Sequence, residues 1–80
     1  MKTTDIIEVI KNEFNIKLYP MGVYYGSKNS KVYLREYQVG VFVSFELTRN
    51  GVDIEIYKRI RNEQELSNLI KLIKKAKRLK

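Results

Sequence analysis

The dipeptide Asn50-Gly51 constrains the fold more than any other feature of this sequence. It joins two runs in which apolar and polar residues alternate, VGVFVSFELTR before it and VDIEIYKRI after it. Asparagine and glycine tolerate the positive φ angles that a two-residue hairpin turn requires, so the pattern predicts a β-hairpin. A turn at this dipeptide pairs Phe45 with Ile56 and Val41 with Ile60 on one face. The predicted pairs on the other face are Phe42–Arg59, Ser44–Tyr57, Glu46–Glu55 and Thr48–Asp53.

Two further strands are predicted before this hairpin. The stretch GVYYG, residues 22–26, reads as the first strand, and KVYLREY reads as the second. In the second strand Val32 and Leu34 fall on one face and the polar and aromatic residues on the other. Pro20 cannot donate a hydrogen bond within a sheet, so the segment IKLYP is expected to be a sheet edge or a connection.

A helix is predicted at each end of the chain. Apolar residues recur every three to four positions over residues 4–14. Asp5 and Glu8 have the spacing of a capping box, Thr4 is a competing N-cap, and Asn15 suits the stop. Asn62, with Glu65 three residues later, predicts the start of the second helix. The sequence therefore predicts one α+β domain over residues 1–80, in the order α-β-β-β-β-α. Its antiparallel meander carries both helices on the face of Val41 and Phe45.

Composition narrows the possible functions. Cysteine and histidine are both absent, which excludes disulfides, thiolate nucleophiles, the usual zinc ligands and a Ser-His pair. We expect no catalytic residues, no metal and no cofactor. The longest weakly polar run, VGVFVSF, is far shorter than the ~20 residues of a membrane helix, so a cytoplasmic protein without membrane contact is expected.

The end of the chain is strongly basic. The net charge is +7, and six of the last ten residues are Lys or Arg. Closely spaced exposed cations bind phosphates, which indicates nucleic acid as the partner. Most of them are lysines, which favour contacts that do not depend on base sequence. Solubility and compensation of the helix dipole are the alternative explanation. The predicted nucleic-acid contacts here are Lys71, Lys74, Lys75, Lys77 and Arg78.

The sheet face away from the helices is predicted to be aromatic, although an exposed face is usually polar. It carries Tyr33, Tyr37, Phe42 and Tyr57, with Arg35 and Arg59 among them. Aromatic rings interleaved with arginine suit base stacking on single-stranded nucleic acid. They suit a protein interface equally well, self-association included, and ordinary cross-strand packing is the third interpretation.

An acidic cluster lies on the same predicted face. Glu46 and Glu55 are directly opposite each other, with Asp53 two residues away, and such an arrangement of like charges is unfavourable. A Mg²⁺-dependent nuclease is one hypothesis, and neutralisation by Lys31 or Arg49 is the other. The leading interpretation of the whole sequence is a small nucleic-acid-binding protein that is not an enzyme. The alternative is a protein-interaction module, such as an inhibitor or accessory factor of a virus, phage or plasmid.

Overall fold

The predicted central hairpin is present in the computed structural model, which describes residues 2–29 and 31–78, with Arg49 and Arg78 described by their backbone alone. Strand Gly40–Arg49 pairs with strand Val52–Ile60. Asn50 and Gly51 between them have φ angles of 52° and 77°. The register is the predicted one on both faces, including Phe45 opposite Ile56 and Glu46 opposite Glu55. A register fixed by the turn thus agrees with the register that buries the apolar face.

The sheet has five strands in sequential order, one more than predicted. Its order is β1-β2-β3-β4-β5, with every neighbouring pair antiparallel. The elements are α1 Thr3–Phe14, β1 Tyr19–Met21, β2 Tyr24–Gly26, β3 Val32–Tyr37, β4 Gly40–Arg49, β5 Val52–Ile60 and α2 Glu63–Arg78.

The additional strand arises from the segment around Pro20. Gly22 adopts a φ of 71°, so the chain reverses at Gly22-Val23 and the predicted strand 22–26 shortens to Tyr24–Gly26. Tyr19–Met21 then pairs with it as the sheet edge. A proline is tolerated there because an edge strand leaves half of its backbone groups unpaired. The expected α+β meander is therefore confirmed, with its edge segment as a short strand.

The helix boundaries follow local capping, with one error in the prediction. Helix α1 begins at Thr3 with Lys2 in the capping position, so the predicted caps at Asp5 and Thr4 are both wrong. The Asp5 carboxylate instead accepts a hydrogen bond from the backbone N–H of Lys2, at 3.2 Å. Asn15 ends the helix in the left-handed conformation, as predicted. The cap of α2 is also confirmed, because the Asn62 side chain accepts a hydrogen bond from the Glu65 N–H at 2.9 Å.

Both helices cover the same face of the sheet, as predicted. Phe45, at 2% exposure, lies near the centre of the core, where its ring meets that of Phe14 edge-on at 5.3 Å. The other core residues are Ile6, Ile10, Leu18, Val32, Leu34, Val41, Val43, Ile56, Ile60, Leu66, Leu69 and Ile73. None of the helices in the described part of the chain is long and apolar enough to cross a membrane. The opposite face of the sheet is left uncovered by either helix.

Candidate functional surfaces

The uncovered side of the sheet, called here the aromatic face, carries rings from all five strands. Its register places Tyr33 beside Ser44 and Ser44 beside Tyr57, and it places Phe42 between Arg35 and Arg59. Six large side chains on this face are 36–51% exposed. The aromatic face comprises Tyr19, Met21, Tyr24, Tyr33, Tyr37, Phe42 and Tyr57.

The rings of this face pack against one another along diagonals between strands. Phe42 meets Tyr37 edge-on with centroids 5.0 Å apart and stacks on Tyr57 at 5.6 Å. Tyr24 meets Tyr33 edge-on at 6.1 Å. The predicted aromatic residues are therefore brought together around one shallow groove of about 430 Å³. Such contacts hold the rings in place while leaving part of each ring accessible.

Sequence reasoning missed three members of the aromatic face: Tyr19, Met21 and Tyr24. All three belong to the edge hairpin β1–β2, whose first strand lies in the segment that was expected to be a sheet edge or a connection. The signal that identifies this hairpin is Gly22, because a glycine between two short β-prone segments permits a tight reversal.

Two arginines flank the rings. The guanidinium carbon of Arg35 lies 4.9 Å from the centre of the Tyr37 ring, an arrangement typical of a cation–π contact. The aliphatic part of Arg59 lies against Gly40, where an added Cβ would be 3.1 Å from the Arg59 Cγ. Gly40 also has a φ of 135°, which L side chains rarely adopt. The register thus places both arginines at the same end of the aromatic face.

The other end of this face is acidic. Glu46 is opposite Glu55, and the Thr48 hydroxyl donates a hydrogen bond to Asp53 Oδ1 at 2.8 Å. Lys31 Nζ lies 3.4 Å from the same hydroxyl, so this lysine supplies a positive charge near the cluster. Within residues 2–29 and 31–78, no group of three acidic side chains is arranged to hold a metal ion.

Arg49 was the other residue expected to neutralise the acidic cluster. Its side chain lies outside the described residues. Its backbone position is opposite Val52 on β5.

Ser44 is an exception on this face because it is buried, at 1% exposure. It lies between Tyr33 and Tyr57 in the register. Its hydroxyl is the one buried side-chain polar atom among the described residues that has no hydrogen-bond partner. A small residue between large neighbours leaves room for the rings, and the hydroxyl beneath them is removed from water.

The predicted phosphate-binding lysines lie on helix α2, across the sheet from the aromatic face. Lys71, Lys74, Lys75 and Lys77 are all exposed. Lys74 Nζ forms an ion pair with Glu13 Oε1 of helix α1, at 2.5 Å. Arg78 belongs to the same helix, but its side chain lies outside the described residues.

Lys77 is in a different environment. Its ammonium lies 5.3 Å from the centre of the Phe14 ring and 5.9 Å from that of Phe45. Its side chain therefore projects toward these two rings, which pack between the helices and the sheet. The rings do not neutralise the charge of Lys77.

The structure thus divides the predicted site residues between two surfaces. Arg35, Arg59 and the aromatic rings share one side of the sheet, while the lysines of α2 share the other. A ligand lying flat on one surface does not reach the second, because the sheet and its core separate them. The two sets require separate functional arguments.

One exposed ion pair stabilises the start of α2. Two guanidinium nitrogens of Arg61 each donate a hydrogen bond of 3.0 Å to the Glu65 carboxylate. These bonds, together with one from the Arg61 backbone N–H, lower the pKa of Glu65, and the same side-chain bonds raise the pKa of Arg61.

Comparison with known proteins places no relative beside this chain. No protein-family model, curated protein or solved structure matches it. The functional argument therefore rests on the two surfaces described above.

Proposed function

We propose that this protein binds nucleic acid through the C-terminal half of helix α2. The observation that carries the proposal is the exposure of four lysines within two turns of one helix: Lys71, Lys74, Lys75 and Lys77. Among the described residues, Lys74 is the only one of these with a carboxylate partner. Residues 61–80 as a whole carry seven basic and two acidic side chains.

The physical basis is phosphate neutralisation. Six residues of α-helix span ~9 Å, and duplex DNA carries one negative charge per ~1.7 Å of its axis. A stripe of this length therefore faces several phosphates at once. Lysine presents a point charge without a planar fork, which favours binding to the backbone over reading of base edges.

The ion pair between Lys74 and Glu13 does not remove Lys74 from this surface. Its lysine side chain remains 45% exposed, and exposed ion pairs contribute ~1 kcal/mol or less. A phosphate can therefore replace the Glu13 carboxylate as the partner of Lys74. The charge of Lys77 is likewise retained, since a cation–π contact does not neutralise it.

The test is the salt dependence of binding to labelled single-stranded and duplex DNA and RNA. Four phosphate contacts on duplex DNA predict a log–log slope near −3.6 and a loss of affinity of about 150-fold between 50 and 200 mM salt. Lys71→Gln/Lys75→Gln removes two of these contacts and leaves Lys74 and Lys77 in place. Its slope is expected near −1.8, with a loss of about 12-fold over the same range.

A matched control has the same net charge. Lys11→Gln/Lys28→Gln removes two exposed lysines from α1 and the β2–β3 turn, and we expect it to keep the wild-type slope. Equal slopes for the two double variants mean that net charge alone attracts the polyanion. No binding by the wild-type protein at 50 mM salt overturns the proposal.

A further inference from the structure

The aromatic face repeats one combination of side chains on two of its strands. On β3 the combination is Tyr33 with Arg35, and on β5 it is Tyr57 with Arg59. In each of these ring–cation pairs the two residues are two positions apart, so they share one side of the sheet at ~6.6 Å along the strand. The register sets the two pairs level, with β4 between them. Two strand spacings of ~4.8 Å therefore separate the pairs by ~10 Å.

The arginine end of the aromatic face suits an anion. Arg35 and Arg59 are exposed, and among the described residues neither forms an ion pair with a carboxylate. Arg35 is also the one charged side chain among the described residues that line the groove between the rings. The other end of the face is net negative, since it carries three carboxylates and one ammonium: Glu46, Asp53, Glu55 and Lys31. An anion is therefore attracted to the arginine end and repelled from the far end.

The rings of the two pairs are accessible and held in place. Tyr33 is 38% exposed and Tyr57 is 51% exposed. Tyr33 lies edge-on against Tyr24 and Tyr57 stacks on Phe42, so these rings lose little conformational freedom when a ligand binds. The groove beside them has a volume of about 430 Å³, within the ~300–1,000 Å³ of sites that enclose small ligands. A nucleobase stacks on such a ring whatever its identity.

We propose that the two ring–cation pairs bind single-stranded nucleic acid, with bases stacked on Tyr33 and Tyr57 and phosphates on Arg35 and Arg59. A nucleotide combines a flat base with an anion, and a single strand repeats this combination as the two pairs do. This repeat favours a nucleic acid over a protein partner, whose acidic and aromatic side chains follow no such order. A duplex does not fit, because its bases stack on one another and present only their edges.

This inference takes its class of ligand from the proposed function of helix α2, but it concerns a separate site. Helix α2 lies on the other side of the sheet, so its lysines do not contact a base that is stacked on the aromatic face. Lysines that neutralise phosphates accept single strands and duplexes alike, whereas stacking on a protein ring requires unpaired bases. The two sites therefore differ in what they select.

Tyrosine fluorescence reports mainly on the aromatic face. The chain has no tryptophan and six tyrosines. Five of the six lie on this face: Tyr19, Tyr24, Tyr33, Tyr37 and Tyr57. A stacked base quenches their emission, whereas a ligand on α2 lies across the sheet from them. We expect a single strand of about six nucleotides to quench the fluorescence, and a hairpin duplex of the same composition to leave it unchanged.

Two substitutions test the individual contacts. Tyr57→Ala removes one ring and is expected to weaken single-strand binding by about 5- to 150-fold, the usual range for one base–aromatic contact. Arg35→Gln removes one phosphate contact, so the log–log salt slope for the single strand is expected to become shallower by about 0.7. Lys11→Gln is the matched control for charge, because it removes one positive charge from exposed α1, and we expect it to keep the wild-type slope. Circular dichroism establishes that each variant is folded.

The contrary outcomes separate this site from α2. Equal quenching by the single strand and the duplex overturns the inference, as does a single strand that binds without quenching or does not bind at about 50 mM salt. A Tyr57→Ala variant that loses self-association in sedimentation but keeps single-strand binding assigns the face to a protein interface instead. If Lys71→Gln/Lys75→Gln keeps the wild-type duplex slope while Tyr57→Ala weakens single-strand binding, the proposal for α2 fails and this one stands.

Discussion

Replacement of Ser44 by alanine is expected to stabilise this protein, although a loss of stability is the usual effect of a buried mutation. Ser44 is 1% exposed, and its hydroxyl has no hydrogen-bond partner among the described residues. Its oxygen gave up hydrogen bonds to water on folding and gained none in return. Alanine keeps the Cβ and removes only this oxygen, so it leaves a very small cavity beneath the rings of Tyr33 and Tyr57.

The magnitude follows from the cost of an unsatisfied polar group. Burial of a hydroxyl without a partner costs ~1–3 kcal/mol, and Ser44→Ala removes this cost. The small cavity and the weaker β-propensity of alanine reduce the gain by a few tenths of a kcal/mol. The net expectation for Ser44→Ala is a gain of about 1 kcal/mol in the free energy of unfolding, or a rise in Tm of roughly 4–8 °C for a domain of this size.

Ser27 provides a matched control, because the same substitution there removes a satisfied hydroxyl. The Ser27 hydroxyl donates to Asn29 Oδ1 at 2.7 Å and accepts a hydrogen bond from the Val32 N–H at 3.0 Å, and Ser27 is also buried. Ser27→Ala leaves that N–H without its side-chain acceptor, so we expect a loss of ~1–3 kcal/mol.

The measurement is urea unfolding of the wild type and both variants, followed by circular dichroism at one protein concentration, because association also contributes to apparent stability. Opposite signs for the two serine substitutions are expected. A Ser44→Ala variant as destabilised as Ser27→Ala would falsify the argument, since it would mean that the Ser44 hydroxyl has a partner in solution.

Two further predictions concern local structure. Hydrogen bonds from the Arg61 side chain are the main cause of the lowered pKa of Glu65. This shift stabilises the folded state above the unfolded-state pKa of about 4.5, and the stabilisation is lost as the pH falls through the lower folded-state pKa. Glu65→Gln should therefore flatten the pH dependence of unfolding in that acidic window, and an unchanged profile would refute this role. Gly40→Ala should cost ~1–3 kcal/mol, because its φ of 135° and its contact with Arg59 both oppose a Cβ. Gly40→Ala in an Arg59→Ala background keeps the backbone cost and removes the side-chain contact, and an equal loss in both backgrounds would show that the Arg59 contact is unimportant.

Much of the fold was predictable because local and long-range signals agree. The Asn50-Gly51 turn sets the register of β4 and β5, and the same register buries Val41, Phe45 and Ile56 together. Helix α2 has a strong cap at Asn62 and a clear apolar stripe, so its start was predictable too. Where local signals compete, prediction fails. The acidic residue Asp5 resembles a cap, yet it lies inside the first turn of α1.

The candidate surfaces were only partly predictable. Alternation along β3, β4 and β5 is sufficient to place Tyr33, Phe42 and Tyr57 on one face, since successive side chains in a strand point to opposite sides. It does not reveal that the edge strand adds Tyr19 and Met21 to this face, because the short strand β1 has little pattern of its own.

By itself, the sequence determined the order of the elements, the register of the central hairpin and the concentration of charge at the C-terminal end. These depend on turn chemistry, side-chain periodicity and composition, which are properties of neighbouring residues. Only the tertiary structure decided that the lysines of α2 and the aromatic face lie on opposite sides of one sheet. It also decided that Lys74 meets Glu13 and that the hydroxyl of Ser44 has no partner. Such relations depend on how distant segments pack, since burial and charge pairing are set by contacts across the core that no local pattern specifies.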